Sequence, residues 1–411
     1  MHILLIHQAF AALDEPGGTR HHEFARYLAA RGHRVTIIAS PVSYLTGEKS
    51  PPSTIHHAPN ENQNITILRA HACSALHKSF VHRVFAFLSF MTSSFWIGLG
   101  VKNVDVVWGT SPPIFQGFTA WLLARLKRVP FLFEVRDLWP EFAIAVGVLR
   151  NRSLIRLSLW LERFLYRSAD RVMVNSPGYV AHVTERGAKR VDIIPNGADP
   201  EMFDPTNNGL EFRLTNHLED KFILLYAGAH GLSNDLGVAL EAAKILQDVK
   251  FTSELTFTFL GDGKEKTALQ KQAESMGLTN VLFLPPVPKI EMAAALAGAD
   301  ACLAILKPIE EYKTTYPNKV FDYMAAGRPV VLAIDGVIRE VVEAAGCGIF
   351  IQPGNPSALA EAVETLAGDP ERSRKMGLAG RKYLEEHSSR AVIAEQLLEV
   401  LKSMSRSPAG G

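Results

Sequence analysis

Tyr312 to Val331 reads YKTTYPNKVFDYMAAGRPVV, in which Tyr316, Pro317 and Asn318 open a helix whose first turns carry Lys319 and Asp322. A helix N-terminus presents unbonded amides and a partial positive charge, and with a lysine beside it suits a diphosphate. Asp322 lies three residues on, on the same helix face, where a carboxylate accepts hydrogen bonds from a ribose. The sequence LLYAGAHGLSNDLGVALEAAKIL sets His230 between Gly228 and Gly231, and FLGDGKEKTALQ ends a strand in Gly261, Asp262 and Gly263. Alone, each fragment reads as a turn or as a capped helix with an i,i+3 ion pair. Together they fall at the carboxyl ends of strands in one half of the chain, and this placement predicts a nucleotide site.

The amino-terminal half offers a second set. Gly17 and Gly18 stand at a strand-to-helix turn before a helix starting near Thr19, where backbone amides approach a phosphate or a sugar. The turn is not GxGxxG and no acid follows the next strand, which disfavours a dinucleotide cofactor. FEVRDLWPE places Arg136 and Asp137 directly after an apolar strand. Asp137 is the candidate for binding an acceptor or taking its proton, and Arg136 for keeping that carboxylate ionised. The alternative is a salt bridge between them.

Strands and helices alternate to position these loops. Val-, Ile- and Phe-rich runs at Ile3–Ile6, Val35–Ala39, Ile65–Arg69, Val104–Trp108, Phe131–Val135, Val172–Asn175 and Val191–Ile194 predict one parallel sheet. Runs at Phe222–Ala227, Leu255–Leu260, Val281–Leu284, Ala301–Ala304, Val330–Leu332 and Gly348–Ile351 predict a second. The expected class is α/β, with two doubly wound, Rossmann-like domains facing a cleft. The expected division is 1–205 for the acceptor, 206–385 for the nucleotide and 386–411 for a helix crossing back to the first domain and a frayed tail.

Near-balanced charge, 43 basic against 42 acidic side chains, provides no global field for nucleic acid. Three scattered cysteines without metal-ligand spacing indicate neither a disulfide framework nor a structural zinc site, and fit a cytoplasmic protein. The start, MHILLIHQAF, reads as a strand and not as a secretion signal. Two segments lean toward a membrane: the uncharged run Val84–Val101, flanked by Lys78 and Arg83, and Leu154–Arg167, where Arg156, Arg163 and Arg167 alternate with Leu, Trp160, Phe164 and Tyr166. The reading is a peripheral helix pair on an anionic surface, with burial in the first domain as the alternative.

GGTRHHEFARYLAARGHRV, NSPGYVAHV, IPNGAD, YAGAHG, FLGDGKEK and NKVFDYMAAGRPVV, taken in order, resemble the GT-B glycosyltransferases of the large retaining family four. The GGTRHHE start, DLWPE and PNKVFDYMAAGRP are similar to the fucosamine transferase-like members of O-antigen and capsule assembly. The resemblance implies a UDP-sugar donor held by the carboxyl-terminal domain and a polyprenyl diphosphate-linked saccharide acceptor at the inner membrane face. It also implies transfer with retention and no metal. Two departures stand out. The family's pair of glutamates is replaced by Thr314 and Asp322, and its Arg and Lys after the first carboxyl-terminal strand by Ala229, His230 and Asp235. Lys319, with Lys313 or Arg328 as further candidates, is then the expected source of positive charge on the leaving diphosphate. Other readings are a nucleotide-sugar epimerase or hydrolase of the same fold, and a catalytically weak membrane-bound partner of an assembly complex.

Overall fold

The computed structural model describes residues 1–15, 17–42, 55–56, 63–73, 80–204, 206–249 and 254–405. The apolar runs become strands because β-branched and aromatic side chains fill both faces of a parallel sheet covered by helices. In the amino-terminal unit these are β1 (His2–Ile6), β2 (Arg34–Ala39), β3 (Ile55–His56), β4 (Ile65–Arg69), β5 (Val106–Ser111), β6 (Phe131–Val135), β7 (Arg171–Val174) and β8 (Val191–Ile193). They form one sheet in the order β3-β4-β2-β1-β5-β6-β7-β8, parallel except for the antiparallel edge strand β3. Two residues are too few to leave a periodic signal, which is why β3 was not expected. β5 begins later than Val104, because Asp105 is occupied in capping β1: its Oδ2 accepts from the His2 amide at 2.7 Å. The strand then continues through Thr110 and Ser111, which pair with Glu134 and Val135.

The carboxyl-terminal unit has β9 (Phe222–Ala227), β10 (Leu255–Leu260), β11 (Val281–Leu284), β12 (Ala301–Ile305), β13 (Val330–Ala333) and β14 (Gly348–Phe350). Their order is β11-β10-β9-β12-β13-β14, all parallel. Two apolar clusters cover its faces, one around Leu225, Val320 and Met324 and the other around Leu224, Leu240 and Leu359. β9 and β10 lie side by side, which sets the loops at their carboxyl ends against each other.

Each unit is compact. One comprises Met1–Leu13, Gly17–Pro195 and the last helix, and the other centres on Asn196–Arg390. The last helix, Arg390–Ser405, inserts Ile393, Leu397 and Leu401 into the amino-terminal core beside Ile3, Leu5 and Phe24. No described helix is long and apolar enough to cross a membrane.

Candidate active site

Positive-φ glycines hold the loop after β9 against the loop after β10. Gly228 has φ +141° and Gly261 φ +149°, and a Cβ on Gly261 would lie 1.9 Å from the Gly228 carbonyl oxygen. A side chain does not fit there. A Cβ on Gly263 would likewise meet the His230 carbonyl oxygen at 2.4 Å. Backbone bonds knit the two loops: the Gly228 amide donates to the Leu260 carbonyl at 2.9 Å and the His230 amide to that of Asp262 at 2.8 Å. The Ala229 carbonyl accepts from the Tyr226 hydroxyl at 2.7 Å and from Asn234 Nδ2 at 2.9 Å. Lys266 staples the second loop by donating to the Gly261 and Leu284 carbonyls at 2.7 and 2.9 Å. Gly231 only flanks this arrangement.

The helix Asn318–Ala325 docks on the end of β9 through Tyr323, whose hydroxyl accepts from the Ala227 amide at 3.1 Å. That contact carries Lys319 to the glycine loop. Its Nζ lies 3.7 Å from the centroid of the Tyr226 ring and 3.0 Å from where a Cβ on Gly228 would sit. The ammonium is buried and has no hydrogen-bond partner among the described residues, and burial pushes its pKa down to about 7. Both ring nitrogens of buried His230 also lack a partner. Burial first, then the charges of Lys266 and Lys319 against the opposing pull of Asp262, lower its pKa to about 4, so the imidazole is neutral at pH 7.

No i,i+3 ion pair joins Lys319 to Asp322. The carboxylate is taken by Lys289, at 2.5 Å, and by Asn318 Nδ2, at 3.3 Å. Pro317 starts the helix, the Val320 amide donates to the Pro317 carbonyl at 3.2 Å, and no side chain caps the amides of Asn318 and Lys319. The Tyr316 carbonyl accepts from Asn196 Nδ2 at 2.6 Å and its ring packs on Phe321. The carboxyl-terminal unit thus gathers Gly228, His230, Gly261, Gly263 and Lys319, with Asp322 tied into its own ion pair. Tyr226, Lys266 and Lys289 were not singled out from sequence, and only their places in an apolar strand or a helix turn announce them.

Gly17, Gly18, Thr19, Arg136 and Asp137 belong to the amino-terminal unit. Gly17 has φ +148°, and Thr19 donates to Glu23 at 2.6 Å before the helix Arg20–Ala30. Arg136 directs Nη2 to the Pro112 carbonyl at 3.1 Å and makes no ion pair within 4 Å with Asp137. Asp137 is exposed. The protein mass around it, opposed by Arg136, pushes its carboxyl up to about 6, an effect that solvent contact moderates.

A buried cluster lies in the same unit, around Glu134, an acid that the sequence places at the strand's end without giving it a role. The Glu134 carboxylate, fully buried on β6, accepts from His21 Nε2 at 2.6 Å, Trp108 Nε1 at 3.1 Å and Arg20 Nε at 3.2 Å. Burial alone would raise its pKa, but His21, Arg20 and Arg136 outweigh it and hold the carboxyl at about 2. The signal was a single acid inside the apolar run FLFEV. Burial lowers the pKa of His21 and of neighbouring His7, whose ring lies 4.2 Å away and whose Nδ1 is 3.0 Å from Thr110 Oγ1. Among the described residues no group of three or more His, Cys, Asp or Glu is arranged to hold a metal ion.

Comparison with known proteins bears on the family and the fold. The "Glycosyl transferase 4-like domain" matches residues 17–197 and "Glycosyl transferases group 1" matches residues 221–369. WcaI of Escherichia coli (strain K12), named for a glycosyl transferase of colanic acid biosynthesis, is 23% identical over 92% of this chain and 94% of its own. A D-inositol 3-phosphate glycosyltransferase of Frankia alni is 25% identical over 87% of this chain and 88% of its own. Among solved structures, sucrose-phosphate synthase from Thermosynechococcus elongatus superposes with a TM-score of 0.80 at 19% identity, covering 99% of this chain and 100% of its own. WaaG, of lipopolysaccharide biosynthesis, gives 0.70 at 17% over the whole of both chains, and Anabaena HepE with UDP-glucose 0.71 at 16% over 98% of this chain and 100% of its own. With two family domains in sequence, each on its own parallel sheet, the chain belongs to the GT-B glycosyltransferases.

Proposed function

We propose that the protein transfers a sugar from a UDP-sugar to a saccharide carried on a polyprenyl diphosphate, with retention, in surface polysaccharide assembly at the cytoplasmic face of the membrane. The observation that carries the reading is the buried ammonium of Lys319, without a counter-ion, beside the glycine loop of Gly228. A buried cation left unpaired is costly, and a diphosphate is the partner that relieves the cost. HepE, with UDP-glucose in the same fold, supports UDP as the nucleotide. WcaI and WaaG support the polysaccharide context. The PNKVFDYMAAGRP and GGTRHHE segments support an N-acetylated deoxyhexose such as N-acetylfucosamine as the donor sugar.

The chemistry follows from the charges. As the bond from C1 to the diphosphate oxygen breaks, its electron pair leaves with the phosphate and positive charge builds on the ring. Lys319 and the amino-terminal end of the Asn318–Ala325 helix, which no side chain caps, stabilise the departing oxygens. Neutral His230 offers a hydrogen bond to a sugar hydroxyl without adding charge beside the cationic ring. The acceptor oxygen attacks from the leaving group's face and its proton passes to the departing phosphate. No carboxylate nucleophile and no metal ion enter this scheme.

Membranes bearing lipid-linked saccharide, incubated with a panel of labelled UDP-sugars, test it. Transfer of label to lipid is expected. Release of free sugar alone would indicate a hydrolase, and tight UDP binding without turnover an inactive partner of the assembly machinery.

A further inference from the structure

The Arg152–Ser168 helix faces two ways. Asn151 caps it, its Oδ1 accepting from the amides of Ser153 and Leu154 at 3.0 and 3.1 Å. Its single acid, Glu162, is turned inward, Oε1 accepting from His182 Nε2 at 2.7 Å and from the Tyr166 hydroxyl at 3.2 Å while Oε2 forms an ion pair with Arg186 Nε at 3.1 Å. With the acid withdrawn, the outer face is cationic and apolar. Arg156, Arg163 and Arg167 form no ion pair within 4 Å among the described residues, and Leu157 and Trp160 are 56% and 57% exposed. Trp160 stacks on Phe164 at 5.5 Å, and both join the three arginines around an open groove of about 410 Å³. At Ser168 the groove meets a second depression lined in part by Arg125, Lys189 and Arg190.

We propose that this groove seats an anionic phospholipid headgroup, the arginines holding phosphate oxygens while Trp160 and Leu157 settle at headgroup depth. The proposal deepens the membrane-surface part of the proposed function and rests on it. Charge and apolarity together select the occupant. A soluble anion would satisfy the guanidiniums but leave the indole and the leucine in water, whereas a lipid interface takes both. The other membrane-leaning segment is partly interior and partly exposed. The Phe80–Gly100 helix buries Ala86, Phe90 and Ser94, and its exposed Phe85, Leu88 and Trp96 have no charged residue among them. Lys78 and the side chain of Arg83, expected to flank it, lie outside what the structure describes.

The test is sedimentation of the full-length protein with phosphatidylcholine vesicles, with and without phosphatidylglycerol. Pelleting is expected only with phosphatidylglycerol, and weaker at high salt. Each of Arg156→Gln, Arg163→Gln and Arg167→Gln should weaken it about fivefold, and the triple variant roughly a hundredfold. A phosphatidylglycerol-dependent blue shift of tryptophan emission, absent in Trp160→Phe, tests the depth of the indole and stands even if the triple variant fails to fold. Equal pelleting of wild type and folded variants, no pelleting of wild type, the same shift with inorganic phosphate alone, or self-association that covers Trp160 would each overturn the proposal. UDP-induced thermal stabilisation and transfer to a water-soluble acceptor are expected to survive the arginine changes. Their absence in wild type would instead refute the transferase reading.

Discussion

Lys319→Met removes the one feature on which the donor site depends and leaves its shape nearly intact. The drop in pKa from 10.5 to about 7 by burial corresponds to a cost of roughly 4 kcal/mol for keeping the ammonium charged at neutral pH. The face of the Tyr226 ring, 3.7 Å away, returns about 1 to 2 kcal/mol. Methionine fills similar volume without charge, so the unliganded variant should gain roughly 2 kcal/mol, or about 4 to 8 °C in Tm. The pH dependence fixes the cause. A lysine whose folded pKa lies below its unfolded one destabilises fully below about pH 7, and the penalty fades as pH rises toward 10.5. The gap between variant and wild type should therefore be widest in mild acid and narrow through pH 9. Thermal melts over a pH series, each with and without UDP, read both effects, because a ligand that binds only the folded state raises Tm. Wild type should show a UDP shift and the variant almost none. A variant that melts below wild type by an amount independent of pH, and still responds fully to UDP, would refute the argument.

Gly261→Ala should prevent proper folding of the carboxyl-terminal unit, since the new methyl falls 1.9 Å from the Gly228 carbonyl oxygen; native-like solubility and an unchanged melt would show that the loops have another way to pack. Asp322→Asn leaves Lys289 buried without its partner, so a loss of about 3 kcal/mol in stability with little change in donor KM is expected. A large rise in KM at unchanged Tm would return Asp322 to the ribose. Glu134→Gln uncouples His21 and Arg20 and should cost about 3 to 5 kcal/mol in urea melts. In wild type the carboxyl is held at about 2, below its usual 4.5. Its contribution is then complete above pH 4.5 and drains away as pH falls toward 2, a slope that the Gln variant should lack.

The two sheets were legible because periodicity and β-branched composition are local properties, carried by runs such as Ile3–Ile6 and Leu255–Leu260. The glycine loops were legible for a related reason. Only glycine tolerates the backbone at Gly228 and Gly261, so the residue type itself reports the conformation. Pairings across the chain were not. Lys289 meets Asp322 from another helix, and no pattern within the Asn318–Ala325 segment distinguishes an acid waiting for a ribose from one already bound to a lysine. The inward turn of Glu162 was equally hidden, although the arginines and aromatics of its helix were legible.

Charge compensation separates architecture from function in this molecule better than burial does. The Glu134 carboxylate and the Lys319 ammonium are both buried, yet three donors surround the carboxylate and its pKa falls, while among the described residues the ammonium has a ring face but no hydrogen-bond partner and its pKa falls too. For an acid, a lowered pKa means that its charge is stabilised; for a lysine it means that the charge is not. Glu134 is therefore a finished interaction that fixes the first turn of the Arg20–Ala30 helix to β6. Lys319 is an unfinished one, and a folded protein retains such a deficit where a ligand removes it. The same test applied to the surface picks out Arg156, Arg163 and Arg167, whose helix has spent its only acid on the interior. By this criterion two candidate demands for phosphate stand out among the described residues, one buried beside a glycine loop and one open beside a tryptophan, and their opposite exposure suits a soluble nucleotide for the first and a lipid surface for the second.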